Sequence, residues 1–200
     1  MISFSSDRAF PVERLALALN GVLPRDISVR DAAIVAPGFS ARFSARARTY
    51  EYLIHRRKTR SALSRRYAYH VYRPIDCERL ERAARHLVGT HDFASFCGVA
   101  PPSGITIRTI HSVTLDEAGE LLRLRLVGDG FLHHMVRNCV GTLLEIAAGE
   151  RAVDAIPEII AARDRRAAGK TAPACGLFFC GARYDDFDSY APAWGFTAGR

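Results

Sequence analysis

The stretch of residues 128–141, GDGFLHHMVRNCVG, constrains the fold more than any other part of this sequence. Before it, leucines alternate with arginines over residues 121–127, which is the pattern of a half-buried strand. After the two glycines, apolar residues recur every three or four positions from residue 132 to 147, as in an amphipathic helix. The chain therefore predicts a strand that passes through a glycine turn into a helix whose first turns carry two histidines and Arg137.

Arg137 is predicted at the edge of the apolar stripe of this helix, because successive residues are about 100° apart around a helix axis. A guanidinium there can be partly buried and can offer its planar fork to a carboxylate or a phosphate. From the periodicity alone, an arginine whose stem packs at the core edge is the simpler interpretation. His133 and His134 would point about 100° apart on a helix, which makes them a poor pair of metal ligands.

The composition is that of a soluble globular protein. Two hundred residues suffice for one or two small domains, and 48% hydrophobic with 24% charged residues is ordinary. No apolar run approaches membrane-spanning length, and the first ten residues lack the pattern of a signal peptide. The five cysteines are scattered and never form a C-x-x-C pair. This favours a reducing, cytoplasmic compartment, buried thiols and no zinc site.

The positive charge is concentrated in one segment. The net charge is +7, yet residues 42–73 contain ten Lys or Arg and a single acid, Glu51, which gives that segment +9. Arginine-rich codon usage alone would not explain why acids are nearly absent there, so the segment favours a polyanion such as nucleic acid. The candidate RNA contacts are Arg42, Arg46, Arg48, Arg56, Arg57 and Lys58. The simpler alternative for residues 56–60 is a solvated turn.

Tyr50 and Tyr52 alternate with Glu51 and Leu53, so both tyrosines are predicted on one face of a strand. Arginines beside such a strand can hold an RNA backbone while a ring stacks on a base. The alternative is a core strand with a solvated edge, because aromatic residues favour strands in any case.

The remaining pattern predicts short strands and helices. Residues 2–5 and 27–33 have strand patterns and flank a helix that starts at Pro11 and ends before Gly21. This strand–helix–strand is too small to bury a core alone. Asp76 is the expected N-cap of a helix that ends at Gly89. The later predictions are an aromatic turn at 91–96, a hairpin over 107–127 with its turn at 116–119, a helix over 156–166 and a last strand over 177–184.

Five blocks in order give the chain a wider resemblance. They are LNGVLPRDI, FSARFSARARTYEY, HDFASF, GFLHHMVRNCVG and APACGLFF, and together they span about residues 2–184. In these blocks the chain resembles the bacterial tRNA pseudouridine synthase A family. The resemblance implies an enzyme that isomerises uridines of the tRNA anticodon stem-loop to pseudouridine, works as a homodimer, and uses neither metal nor organic cofactor.

The resemblance also implies an α/β (α+β) fold, the pseudouridine synthase fold. Two ferredoxin-like halves join through mixed, mostly antiparallel sheets, with helices outside and a basic cleft between the halves. On this basis we expect residues 1–37 to be a remnant of the N-terminal half-domain, 38–185 the C-terminal half-domain and 186–200 a tail.

The same resemblance assigns site residues. Tyr50 matches the family's active-site tyrosine, which lies against the target base. Arg137 matches the basic residue that pairs with the nucleophilic aspartate, and this replaces the simpler interpretation of Arg137. Such a pair keeps a partly buried carboxylate ionised and aimed. Phe131, Leu132 and Met135 would pack the floor of the site.

The nucleophile itself has no counterpart in this sequence. In the family it lies in a Gly-Arg-Thr-Asp-Ala-Gly-Val-His stretch that precedes the strand matching residues 2–5, and none of the twelve aspartates here has that context. We therefore expect either a start codon assigned too late or a truncated protein, inactive and poorly stable alone. The alternatives are a non-catalytic tRNA-binding protein and a structural domain whose basic segment is only solvated.

Overall fold

The computed structural model describes residues 1–191, which divide into two compact units after Ala45. The first unit contains α1 (Val12–Val22), with Pro11 at its N-cap. Gly21 lies inside this helix, so the predicted end before Gly21 was wrong. The predicted boundary after residue 37 stays a prediction.

The strands predicted for residues 2–5 and 27–33 do not form. An extended segment becomes a strand only when a neighbouring strand takes up its backbone hydrogen bonds. In residues 27–33, the backbone N–H and C=O of Val29 instead bond to the side-chain amide of Asn20, at 2.7 and 2.8 Å. A local side-chain partner therefore replaces the predicted strand pairing at this position.

The second unit begins at Arg46 and is built on a six-stranded mixed sheet. The strands are β1 (Ala47–Arg56), β2 (Tyr69–Val71), β3 (Gly89–Asp92), β4 (Ile107–Ala118), β5 (Leu121–Gly128) and β6 (Leu177–Arg183). The order is β2-β1-β5-β4-β3, and β6 also pairs with β1. Only β1 and β2 are parallel. The α/β class and the mixed, mostly antiparallel sheet are thus confirmed.

Strand β1 has neighbours along both edges, which makes it the centre of the site described below. On one edge it pairs with β5 over its whole middle. On the other edge β6 pairs with its first half and β2 with its last three residues. The predicted β4–β5 hairpin is confirmed, but its turn is only Gly119 and Glu120, because the strands continue to Ala118 and from Leu121.

Three helices cover the second unit: α2 (Cys77–Arg85), α3 (Met135–Ala147) and α4 (Ala155–Ala162). Asp76 caps α2 as predicted, its side chain accepting the Arg79 N–H at 3.0 Å. The helix ends at Arg85 and not at Gly89, because Gly89 already belongs to β3. That strand occupies the start of the predicted aromatic turn. Helix α4 likewise stops at Ala162, four residues before the predicted end.

The sequence predicts the two histidines within the first turns of α3, and this prediction was wrong, because both precede the helix. His134 is the N-cap and adopts a left-handed backbone conformation with φ of 59°. This conformation brings the His133 and His134 rings into a stack with centroids 3.7 Å apart. The expected separation of about 100° does not apply, because it presumes helical backbone at both residues.

One apolar core joins the sheet to the helices. It includes Tyr52 and Ile54 of β1, the alternate leucines of β5, and the apolar face of α3. The alternation predicted for residues 121–127 is confirmed for Leu122, Leu124 and Leu126, each at most 1% exposed. No helix among residues 1–191 is long and apolar enough to cross a membrane. Of the predicted tail, residues 192–200 lie outside the described residues.

Candidate active site

Tyr50 lies half-buried on the helix-covered face of the sheet. Its ring contacts Phe131 and Phe179 edge-on, with centroids 5.1 and 5.3 Å away. Burial raises the pKa of the Tyr50 hydroxyl, so it stays protonated at neutral pH. Phe179 is not among the site residues predicted from the sequence. No local pattern marks it, because only the pairing of β6 with β1 places it opposite Tyr50.

Tyr52 shares this face, as predicted, but is fully buried. Its hydroxyl donates to the carbonyl of Pro173 at 2.6 Å, and Gly176 packs so closely that a Cβ there would lie 2.7 Å from the ring. Burial is the largest cause that raises the pKa of the Tyr52 hydroxyl, and the nearby Arg137 opposes this only in part. Tyr52 therefore holds the segment around Pro173 against the strand.

We expect Tyr52→Phe to lower the free energy of unfolding by about 0.5–1.5 kcal/mol, because the hydrogen bond from the buried Tyr52 hydroxyl to the Pro173 carbonyl is lost. Tyr50→Phe is the matched control and should change stability by less than about 0.5 kcal/mol, since within residues 1–191 the Tyr50 hydroxyl has no hydrogen bond. Urea unfolding of both variants measures the difference. Equal losses would contradict the division between a site tyrosine and a packing tyrosine.

Arg137 is partly buried near the start of α3. Its Nε donates to the carbonyl of Ala172 at 2.7 Å, and its own carbonyl accepts the Ala172 N–H at 3.1 Å. Among residues 1–191 no carboxylate lies within 4.0 Å of its guanidinium. Asp129 is not within that distance either, and its carboxylate accepts the Thr109 N–H at 3.0 Å. The two terminal nitrogens of Arg137 are thus without a partner in the described chain.

The structure places Arg137 and the two tyrosines on the same side of the sheet. Ala172 and Pro173, which are adjacent in the chain, accept hydrogen bonds from Arg137 and Tyr52 respectively. Because Tyr50 and Tyr52 are two residues apart on β1, they are roughly 7 Å apart along the strand. The arrangement can present the Arg137 guanidinium on the same face of the sheet as the Tyr50 ring.

The three apolar site candidates differ in exposure. Phe131 is half-buried and contacts Tyr50 directly. Leu132 is only 7% exposed and Met135 is fully buried, with the Leu132 N–H 3.5 Å from the Met135 sulfur. Leu132 and Met135 thus lie in the core, and Phe131 is the one at the surface beside Tyr50.

The five predicted RNA contacts of the second unit lie in two separate groups. Arg42 belongs to the first unit, where its guanidinium carbon lies 5.3 Å from the centre of the Phe43 ring. The other five divide between the two ends of β1, which are about 30 Å apart at roughly 3.3 Å per residue. They are Arg46 and Arg48 at the start, and Arg56, Arg57 and Lys58 at the end.

Arg46 and Arg48 lie at the N-terminal end of β1, which is the end nearer to Tyr50. Arg46 donates two hydrogen bonds to the carboxylate of Asp185, from Nε and from Nη2, both at 2.9 Å. This hydrogen bonding raises the pKa of Arg46 and lowers the pKa of Asp185. Arg48 donates from Nη1 to the backbone carbonyl of Asp129. Both cations are therefore held in place at the end of the strand that carries Tyr50.

Arg56 and Arg57 are paired with acids of the β4–β5 hairpin, Arg56 with Glu117 and Arg57 with Glu120 at 3.1 Å. The local excess of +9 is thus partly neutralised by acids that are distant in sequence. Four exposed cations of the following loop have no acidic partner within 4.0 Å among residues 1–191: Lys58, Arg60, Arg65 and Arg66. Of these four, only Lys58 is among the RNA contacts predicted from the sequence.

Comparison with known proteins adds a further finding. A family model described as tRNA pseudouridine synthase matches residues 83–185, which include Phe131 and Arg137. The tRNA pseudouridine synthase A of Halalkalibacterium halodurans is 46% identical over 177 residues, covering 88% of this chain and 67% of that protein. The protein of the same name from Bacillus licheniformis is 43% identical, covering 92% and 75%. That of Bacillus subtilis is 40% identical, covering 93% and 75%.

Proposed function

The chain belongs to the tRNA pseudouridine synthase family, and we propose that it isomerises uridine to pseudouridine in the anticodon stem-loop of tRNA, as a cytoplasmic homodimer. In this reaction the base is detached from its sugar, rotated and rejoined through carbon. A site for it needs a surface for the base and a carboxylate that is kept ionised. The observation that carries the proposal is the Arg137 guanidinium, anchored at one nitrogen on the face that carries Tyr50.

Anchoring through Nε leaves both terminal nitrogens of Arg137 available for a two-point bond to a carboxylate. Because Arg137 is partly buried, that attraction is less screened than at an open surface. A neighbouring cation lowers the pKa of a carboxyl group and keeps it ionised. These properties support pairing between Arg137 and the aspartate of the family's Gly-Arg-Thr-Asp motif.

Tyr50 supplies the surface for the base. Phe131 and Phe179 hold its ring from the edges, so its orientation is fixed before a base arrives. A fixed, half-buried ring can stack on a base at a low cost in conformational entropy. Leu132 and Met135 support Phe131 from within the core.

Pseudouridine formation in transcribed tRNA tests the proposal. We assay the 200-residue chain and the same chain extended before Met1 by a family segment that carries the Gly-Arg-Thr-Asp motif. We expect product only from the extended protein, at uridines of the anticodon stem-loop. Turnover by the 200-residue chain would show that another carboxylate serves as nucleophile. Binding without turnover by either protein would favour a non-catalytic tRNA-binding function.

The salt dependence of tRNA binding tests the basic surface. We expect neutralising Lys58, Arg60, Arg65 and Arg66 to glutamine to weaken binding and to reduce the slope of log affinity against log salt by up to about three. The matched control neutralises the acid-paired Arg46, Arg56 and Arg57. Its slope should change less, because paired cations release fewer counterions. An unchanged slope in the first variant would exclude this loop as a contact with the RNA backbone.

A further inference from the structure

The loop after α4, residues 165–172, lies along one face of α3 and is called the docking loop here. Its backbone bonds to three successive turns of the helix. Ala172 N–H donates to the Arg137 carbonyl at 3.1 Å, Gly169 N–H to the Thr142 hydroxyl at 2.9 Å, and Lys170 N–H to the Glu145 carboxylate at 2.8 Å. The second half of the loop is therefore attached to the helix through its backbone.

Gly141 allows this close contact. It faces the docking loop from the middle of α3, and a Cβ at this position would lie 1.7 Å from the carbonyl oxygen of Lys170. No side chain larger than hydrogen fits there without separating the loop from the helix. The close approach brings the loop carbonyls within reach of side chains on α3.

Arg165 fixes the docking loop from within. One terminal nitrogen donates to the Gly169 carbonyl at 3.0 Å, and the other donates to the Asn138 side-chain oxygen at 3.0 Å and the Thr171 hydroxyl at 2.9 Å. Asn138 is fully buried, and its amide nitrogen donates to the carbonyl of Phe96 at 2.7 Å. Arg165, at one end of the loop, thus bonds both to Thr171 near the other end and to Asn138, the residue after Arg137.

Within the described part of the chain, Arg165 is held by the loop and the helix without a carboxylate partner. Among residues 1–191 all of its acceptors are neutral oxygens, and none is a carboxylate. The neighbouring Arg166 is different, since its side chain is 90% exposed and pairs with Asp164. The proposed function so far gives Arg165 no role.

We propose that Arg165 is a positioning residue that sets the direction of the Arg137 guanidinium. It holds Thr171, which is followed directly by Ala172, whose carbonyl anchors Arg137 Nε. A long arginine side chain held at one nitrogen takes its direction from the position of that acceptor. Errors of about 1 Å in placing a catalytic group can cost about 10²-fold in rate. This inference rests on the proposed pairing of Arg137 with the family aspartate.

Arg165→Met tests the inference, with Arg166→Met as the matched control on the same loop. The primary measurement is the exchange of the Arg137 Nε proton with water by NMR, assigned from its loss in Arg137→Lys. We expect exchange about tenfold faster in Arg165→Met and unchanged in Arg166→Met, because only the first releases the Ala172 carbonyl. In the extended, catalytically competent protein, kcat should fall about tenfold or more with KM unchanged.

Thr171→Val provides a second variant if Arg165→Met does not fold, because it removes one acceptor of Arg165 and preserves the side-chain shape. It should also speed the exchange of the Arg137 proton. Unchanged exchange in a folded Arg165→Met or Thr171→Val protein would overturn the inference. The exchange measurement needs no turnover. If the extended protein is inactive, that result counts against the proposed function, and the exchange rates still test the role of Arg165.

Discussion

We expect Arg137→Met to lower kcat by about 10²–10³-fold in the extended protein that carries the family aspartate, while tRNA still binds. Methionine keeps most of the apolar stem of arginine but has no donor for the carboxylate. The nucleophile then loses the cation that keeps it ionised and aimed, and a buried carboxylate without its partner is strongly destabilised. Single-turnover rates of pseudouridine formation and tRNA affinity measured on the same protein separate the two effects.

Two controls sharpen the Arg137 experiment. Arg137→Lys keeps the charge but cannot make both the Ala172 bond and a two-point carboxylate bond, so its rate should fall between those of the methionine variant and the parent. Arg166→Met removes an exposed arginine that pairs only with Asp164 among residues 1–191, and it should leave the rate unchanged. Full activity of Arg137→Met would mean that the pairing is not needed for catalysis.

Tyr50→Ala is the second large effect that we expect. It removes the ring proposed to lie against the base, so kcat should fall by about 10²-fold or more, as for loss of a group that orients a substrate. Its cost in stability should be smaller than that of a core aromatic, because Tyr50 is only half-buried. Tyr50→Phe keeps the stacking ring and separates its contribution from that of the hydroxyl.

Tyr52→Ala is the matched control for Tyr50→Ala. The Tyr52 ring is fully buried, so this variant should lose about 3–5 kcal/mol of stability. Activity assays at a temperature where both variants are folded, together with urea unfolding, compare the two positions. Equal losses of activity at matched stability would refute the assignment of Tyr50 to the site.

The direction of side chains within single elements could be read from the sequence. The strand period placed Tyr50 and Tyr52 on one face, and the leucine alternation gave the buried side of β5. Asp76 marked its helix start, because an N-cap bond joins residues three apart. These features depend on contacts within one element, where backbone geometry alone fixes which residues face the same way.

The sequence alone misjudged segments whose structure depends on a partner. Residues 2–5 and 27–33 have strand patterns without a strand to pair with, and Val29 bonds to Asn20 instead. The histidine pair was placed in a helix because periodicity does not reveal a left-handed residue such as His134. In each case the local pattern was compatible with two structures, and hydrogen bonding decided between them.

The sequence predicts the family blocks, the longer strands and helices of the second unit, and the residue types at the site, but not the short strands β2 and β3. What the site residues contact follows from the fold. The fold places Phe179 beside Tyr50, the Ala172 carbonyl at Arg137, and Glu117 of the β4–β5 hairpin against Arg56 of β1. Each of these partners lies tens of residues away in the chain. Their positions follow from strand pairing and loop docking, which no local period encodes.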